Sequence, residues 1–189
     1  MMFDRELIER VASGDKKAFK ELFYYYKNKI YKTACFMVND SAASEDIVQE
    51  VFIVIYTKIY KLKHPEAFET WIYRITVNCC YSYLKHHKVY DSLNEEVCEK
   101  LIEDKIYSPE SITLKQEMQV EIMKYIYELS NRQRACIILY YFNEFSIREV
   151  ADIMECSEGT VKSTLFQSKR LLEKKLSQNM CGGESYGFR

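Results

Sequence analysis

The chain has 189 residues, with 27 lysines and arginines against 28 acidic residues, and 48% of its residues are hydrophobic. That composition is that of an ordinary soluble protein, and the length alone does not choose between one compact domain and two small helical ones. The apolar runs Val51–Tyr56 and Ile137–Phe142 fall far short of the roughly 18 residues a membrane span requires, and the N-terminus, charged from Asp4 onward, carries no signal-peptide pattern. A cytoplasmic location is therefore expected.

Seven cysteines (Cys35, Cys79, Cys80, Cys98, Cys136, Cys156 and Cys181) are scattered, odd in number, and include no C-x-x-C or zinc-type Cys/His spacing. Reduced structural thiols are the plain reading. Three of the five glycines sit in the last eight residues (Gly182, Gly183, Gly187), so no glycine-rich loop is available to cradle a nucleotide phosphate. The near-zero net charge hides an uneven distribution. Lys58–Lys88 is basic, Asp91–Glu121 holds nine acids against Lys100, Lys105 and Lys115, and Ser157–Leu176 returns to a cationic excess.

Helical periodicity dominates, which predicts an all-α chain. Phe19, Leu22, Phe23, Tyr26, Ile30 and Ala34 mark one amphipathic helix; Val48, Val51, Phe52, Ile55 and Ile59 mark a second; a third runs from about Glu66 to Lys85. Pro65 and Pro109 stand at plausible helix starts. The acidic stretch from His86 to Tyr107 lacks a sustained apolar stripe and suits a linker. Beyond it, Leu114, Met118, Ile122, Tyr125 and Leu129 form another stripe. Ser130-x-x-Gln133 is a capping box opening a helix that carries Ile138, Leu139 and Phe142. The expected architecture is two small helical domains, residues 1–87 and 110–177, joined by an acidic linker over 88–109 and followed by a tail over 178–189, where Cys181–Arg189 is expected to be disordered.

Ser146-Ile-Arg-Glu149 is a second capping box, opening a short helix with Ile147, Val150, Ala151 and Met154 inward. After a break at Glu155–Ser157, a long helix with Ser157 as N-cap completes a helix-turn-helix. Val161, Leu165, Ser168, Leu172 and Leu176 share its inner face. Ser163, Phe166, Gln167, Arg170 and Lys174 lie opposite, with Lys162 and Lys169 at the edges. Such a helix can enter a major groove by its first turns and meet phosphates with its basic end; the plainer alternative is a solvated surface helix. Phe145-Ser-Ile-Arg-Glu-Val-Ala-Asp-Ile153 followed by Ser157-Glu-Gly-Thr-Val-Lys-Ser163 resembles the promoter-reading C-terminal region of bacterial sigma factors, a pattern shared with response-regulator output domains.

The first half separates these families. Ala43-Ser-Glu-Asp-Ile-Val-Gln-Glu-Val-Phe52 resembles the polymerase-binding helix of sigma factors. Its spacing puts Asp46, Gln49 and Glu50 on one helix face, two carboxylates and an amide able to meet arginines of a partner. Phe68-Glu-Thr-Trp-Ile-Tyr-Arg-Ile-Thr-Val-Asn78 is similar to the segment that opens promoter DNA. On that helix Trp71, Arg74, Asn78, Tyr81 and Lys85 share a face opposite Ile72, Ile75 and Cys79, interleaving aromatics for stacking with cations for phosphates. A core position for part of the Trp71 ring is the competing reading.

The chain thus resembles the extracytoplasmic-function branch of the sigma-70 family, since the large region between the two domains of housekeeping members has no room here. The resemblance implies binding to RNA polymerase core through Asp46, Gln49 and Glu50. It implies recognition of the minus-ten promoter element by Lys63, His64, Trp71, Arg74, Asn78, Tyr81 and Lys85, with a flipped base read in the loop Leu62–Phe68. It implies recognition of the minus-thirty-five element by Ser157, Thr160, Lys162, Ser163, Phe166, Gln167, Lys169 and Arg170. Thr164 and Gln167 stand where relatives often carry arginines, which implies modest, salt-sensitive binding by the second domain. An anti-sigma factor is an implied partner. No cofactor, metal, small-molecule substrate or catalytic activity is expected, because no acid/base pair, nucleophile or metal-ligand cluster is visible. A helix-turn-helix regulator acting on duplex operators without polymerase, and a purely protein-binding helical adaptor, are the readings left open by the residues alone.

Overall fold

A computed structural model describes residues 5–86 and 121–179, and every regular element among them is helical. The expected linker, Pro109, Leu114, Met118 and residues 180–189 of the expected tail lie outside the described residues, whereas Gln178 and Asn179, the first two tail positions, still belong to the last helix. In the first half, α1 (Arg5–Ala12), α2 (Lys16–Val38), α3 (Ser41–Lys58) and α4 (Phe68–His86) pack together.

Capping chemistry sets the boundaries. Asp15 accepts from the Lys17 and Ala18 amides at the start of α2, and Arg10 anchors the same carboxylate. At the other end Asn39 adopts a left-handed conformation (φ 56°) and donates its amide to the Cys35 carbonyl. Asp40 then caps α3 through the Ala43 amide, so two consecutive polar residues reverse the chain. Pro65 opens a single 3-10 turn, Pro65–Ala67, rather than α4 itself, which begins at Phe68.

The expected stripe of α2 is inward: Leu22, Tyr26, Ile30 and Ala34 are fully buried, and Phe19 and Phe23 wedge edge-on against Phe52 of α3. On α3, Val51, Phe52, Ile55 and, just beyond, Ile59 are buried as expected; Ile47 joins them, while Val48 is only partly covered. Tyr26 meets Phe68 at 5.6 Å between ring centroids, which ties α2 to the start of α4.

In the second half, residues 121–127 are helical (α5), followed by α6 (Asn131–Ile137), α7 (Ile147–Ile153) and α8 (Glu158–Asn179). Both predicted capping boxes form, Ser130 with Gln133 and Ser146 with Glu149, each satisfying two helix-start amides reciprocally. Tyr125 and Leu129 are buried as expected, with Met123 and Ile126 beside them. α6 continues as one π-helical turn, Ile138–Phe142. That wider turn rotates Phe142 off the stripe of Ile138 and Leu139: it is 42% exposed and stacks on Phe36 of α2 instead of entering the core. α7 and α8 form the helix-turn-helix, hinged at Glu155 with φ 50°.

The two halves touch. Asn143 donates to the hydroxyls of Thr33 and Tyr73, Tyr73 packs edge-on against Phe145, and the Tyr127 hydroxyl donates to the Cys35 carbonyl. Arg134, 2% exposed, donates to the carbonyls of Met37 in the first half and of Tyr127 and Leu129 in its own. Burial lowers its pKa from the ordinary arginine value.

Candidate promoter and polymerase interfaces

The polymerase-facing candidates sit together on α3. Asp46, Gln49 and Glu50 are all exposed, because Ile47, Val51 and Phe52 take the inner positions of the same turns. Ile53, 63% exposed, and Tyr56, 62% exposed, continue that outer surface toward the end of the helix. Glu50 also lies against the Cys79 thiol; burial foremost, then that carboxylate, pushes Cys79 up to about 12.

The promoter-opening candidates are only partly assembled. Lys63, His64, Asn78 and Lys85 are exposed, and His64 Nδ1 lies 3.3 Å from Glu66. The Glu66 carboxyl is held below its ordinary range, first by its own backbone amide and then by His64. Trp71 is half-buried and leans on Phe68, so part of its ring takes the core position. Arg74 and Tyr81 depart from expectation: both are drawn against the second half. Arg74 donates to the Asp152 carbonyl at 2.5 Å and lies 3.4 Å from the Glu155 carboxylate. Tyr81 faces a cleft shared with Asn131, Arg132 and Met154; its hydroxyl finds no hydrogen-bond partner among the described residues, and burial pushes its pKa up to about 12. Helical spacing places both residues on the outer face correctly but carries no information about what the other half brings to that face.

The recognition helix α8 keeps its expected outer face clear. Lys162, Ser163, Phe166, Gln167 and Arg170 are exposed, Phe166 by 63%, with the Arg170 guanidinium 5.9 Å from its ring. Lys169, half-buried, reaches Glu173, and Lys162 reaches Glu158, each at 3.8 Å. Ser157 and Thr160 have local structural work as well: Ser157 Oγ accepts the Thr160 amide at 3.1 Å and caps the helix. Val161, Leu165 and Ser168 are buried, and Ser168 satisfies its hydroxyl on the Thr164 carbonyl. Arg134 and Asn143 do not stand out in the sequence. Arg134 had one legible signal, its position four residues before Ile138 on the buried stripe; Asn143 had none.

Comparison with known proteins accounts for both halves. The Sigma-70 region 2 family matches residues 22–89, and the Sigma-70, region 4 family matches residues 119–172. The chain is 32% identical over 184 residues to the RNA polymerase sigma-H factor of Pseudomonas aeruginosa, covering 92% of this chain and 93% of that protein. It is 30% identical over 183 residues to the ECF RNA polymerase sigma factor SigW of Bacillus subtilis, covering 93% and 97%. The chain belongs to the extracytoplasmic-function branch of the sigma-70 family.

As an ECF sigma factor it is an alternative initiation factor for transcription, which decides among the readings that a helix-turn-helix alone left open. In fold, this ECF sigma factor is similar to CnrH, solved in complex with the cytosolic domain of CnrY, with a TM-score of 0.66 and 19% identity over 93% of this chain and 97% of that one. Among the described residues of the sigma factor, no helix is long and apolar enough to cross a membrane and no His, Cys, Asp and Glu cluster could hold a metal.

Proposed function

We propose that this sigma factor docks on RNA polymerase core through Asp46, Gln49 and Glu50 of α3, and reads two promoter elements with α4 and α8. The observation that carries this reading is the exposure, in one chain, of an acidic and amide-bearing face on α3 and a cationic, hydrogen-bonding face on α8. The first suits arginines of a partner helix. The second suits base edges at its N-terminal turns and phosphates beyond them.

In the proximal element, Lys63, His64, Trp71, Arg74, Asn78, Tyr81 and Lys85 bind the exposed strand by stacking and phosphate neutralisation, so melting is driven by binding energy without a catalytic group. In the upstream element, Lys162, Ser163, Phe166, Gln167, Lys169 and Arg170 face duplex DNA, with Ser157 and Thr160 at the helix start. Residues 1–87 and 110–177 are the two working units, 88–109 their tether. The factor acts in the cytoplasm, where polymerase and promoters are. An anti-sigma protein is the expected regulator; the sigma factor RpoE of Bartonella quintana, similar in fold, was solved in complex with the anti-sigma factor NepR.

The test is transcription of fragmented DNA from the source bacterium by sigma-free core, with and without this protein, followed by mapping of transcript starts. Discrete, protein-dependent starts sharing two upstream motifs are expected. Starts that persist unchanged with Asp46→Arg would overturn the α3 assignment, and no protein-dependent starts with active core would overturn the reading as a whole.

A further inference from the structure

Few side chains on the outer face of α8 are still able to make a paired hydrogen bond with a base. Ser163, Gln167, Arg170 and Lys174 follow one another at i, i+4, i+7 and i+11, one exposed stripe opposite the buried Val161, Leu165 and Ser168. Along that stripe the hydroxyls are already engaged. Ser163 Oγ donates to the Thr160 carbonyl at 3.0 Å, and the neighbouring Thr164 Oγ1 donates to the same carbonyl at 2.7 Å. Each hydroxyl has a single hydrogen, so both are spent as donors inside the helix. Thr160 Oγ1 is itself hydrogen-bonded to Ser157 Oγ at 2.9 Å.

Gln167 is placed differently. It is exposed, and its carboxamide has no hydrogen-bond partner among the described residues. It therefore offers an acceptor, Oε1, and a donor, Nε2, side by side. That pair is complementary to the major-groove edge of adenine, where N7 accepts and the N6 amino group donates. Guanine presents two acceptors at the same edge, so Oε1 would face O6 with no hydrogen between them. Among the described residues, the cation within the first two turns of α8 is Lys162, which lies at the edge of the face and 3.8 Å from Glu158. Beside Gln167, Phe166 is 63% exposed, an apolar ring of the kind that packs on a thymine methyl. The Arg170 guanidinium stands 5.9 Å from that ring, toward the basic end of the helix.

We infer that Gln167 is the specificity-determining residue of α8 and selects adenine over guanine at one position of the upstream element, with Phe166 packing on a thymine methyl beside it. The inference rests on the assignment of α8 to upstream duplex DNA and adds the base chemistry that this helix reads. Lys162, Arg170 and Lys174 then hold phosphates, which fix the register of the helix without distinguishing bases.

The experiment uses holoenzyme, core polymerase loaded with the full chain or with Gln167→Arg or Gln167→Ala, on one mapped promoter whose upstream element is randomised and whose proximal element is kept. Sequencing of the transcribed templates gives the base preference at each position. For the parent chain, adenine is expected over guanine by about tenfold or more at one position. Gln167→Arg should shift that position to guanine, because arginine donates to both O6 and N7, and Gln167→Ala should abolish discrimination there; preferences at the other positions should persist in both variants. Identical preferences in parent and variants would overturn the assignment of Gln167, as would a loss spread evenly over all positions, which is the mark of a non-specific contact. A parent holoenzyme that transcribes with no preference anywhere in the upstream element would instead remove α8 as its reader, and the assignment of Gln167 with it.

Discussion

Arg74 of α4 donates to the Asp152 carbonyl of α7, a bond of 2.5 Å between residues 78 apart in sequence. Carbonyls in the last turn of a helix have no intrahelical donor, and an arginine there both satisfies one and complements the helix dipole. The neighbouring Glu155 is 67% exposed, so its ion pair with Arg74 is screened and worth little. A double-mutant cycle of Arg74→Ala with Glu155→Ala, read by urea denaturation, is therefore expected to give a coupling below about 1 kcal/mol. A larger coupling would mean that the carboxylate, and not the carbonyl, holds α4 to the helix-turn-helix.

Arg134 carries more. Its guanidinium is buried and serves three carbonyls from both halves, so truncation leaves those acceptors without donors. Arg134→Ala is expected to destabilise the protein by about 2–4 kcal/mol, and Arg134→Met, which fills the space, to recover only part of that. Equal urea midpoints for parent and Arg134→Met would show that side-chain volume, not hydrogen bonding, is what the site needs.

Alkaline pH should weaken the fold. Burial pushes Cys79, Cys136, Tyr73 and Tyr81 up to about 12, from ordinary values of 9.0 for the thiols and 10.0 for the phenols, and raises Cys80 as well. Between those values the unfolded chain has released protons that the folded chain retains, so stability is complete below about pH 9 and falls as pH rises toward 12. Urea midpoints measured at steps from pH 8 to pH 10.5 should decline above pH 9; a flat profile would contradict this burial pattern.

On α8, Lys162 and Arg170 project from the outer face. Replacing both with alanine should weaken duplex binding and reduce the slope of log affinity against log salt by about 2, one counterion per lost phosphate contact. A slope that does not move places the phosphate contacts elsewhere. The thermal midpoint should stay close to that of the parent, because both side chains lie outside the core.

On α3, Gln49→Ala and Asp46→Ala together should reduce affinity for core polymerase by about tenfold or more, the loss of roughly 1.4 kcal/mol or above. The helix should be unaffected, since both positions are exposed. Competition for core against a second sigma factor provides the measurement, and undiminished competition would remove these residues from the interface.

Periodicity and capping chemistry made the helices legible from the sequence. Leu22, Tyr26 and Ile30 recur at the spacing of a buried stripe, and Ser130 with Gln133 and Ser146 with Glu149 announce helix starts, because these are interactions between residues three or four apart. The outward direction of Asp46, Gln49 and Glu50, and of Phe166 and Arg170, follows from the same local geometry. What one helix face meets across the molecule is set by chain reversal and packing over long separations, for which no local pattern exists. The pairing of Arg74 with Asp152, the burial of Arg134 under Met37 and the rotation of Phe142 onto Phe36 are therefore decided only in the tertiary structure, where carbonyls and rings distant in sequence become the nearest partners.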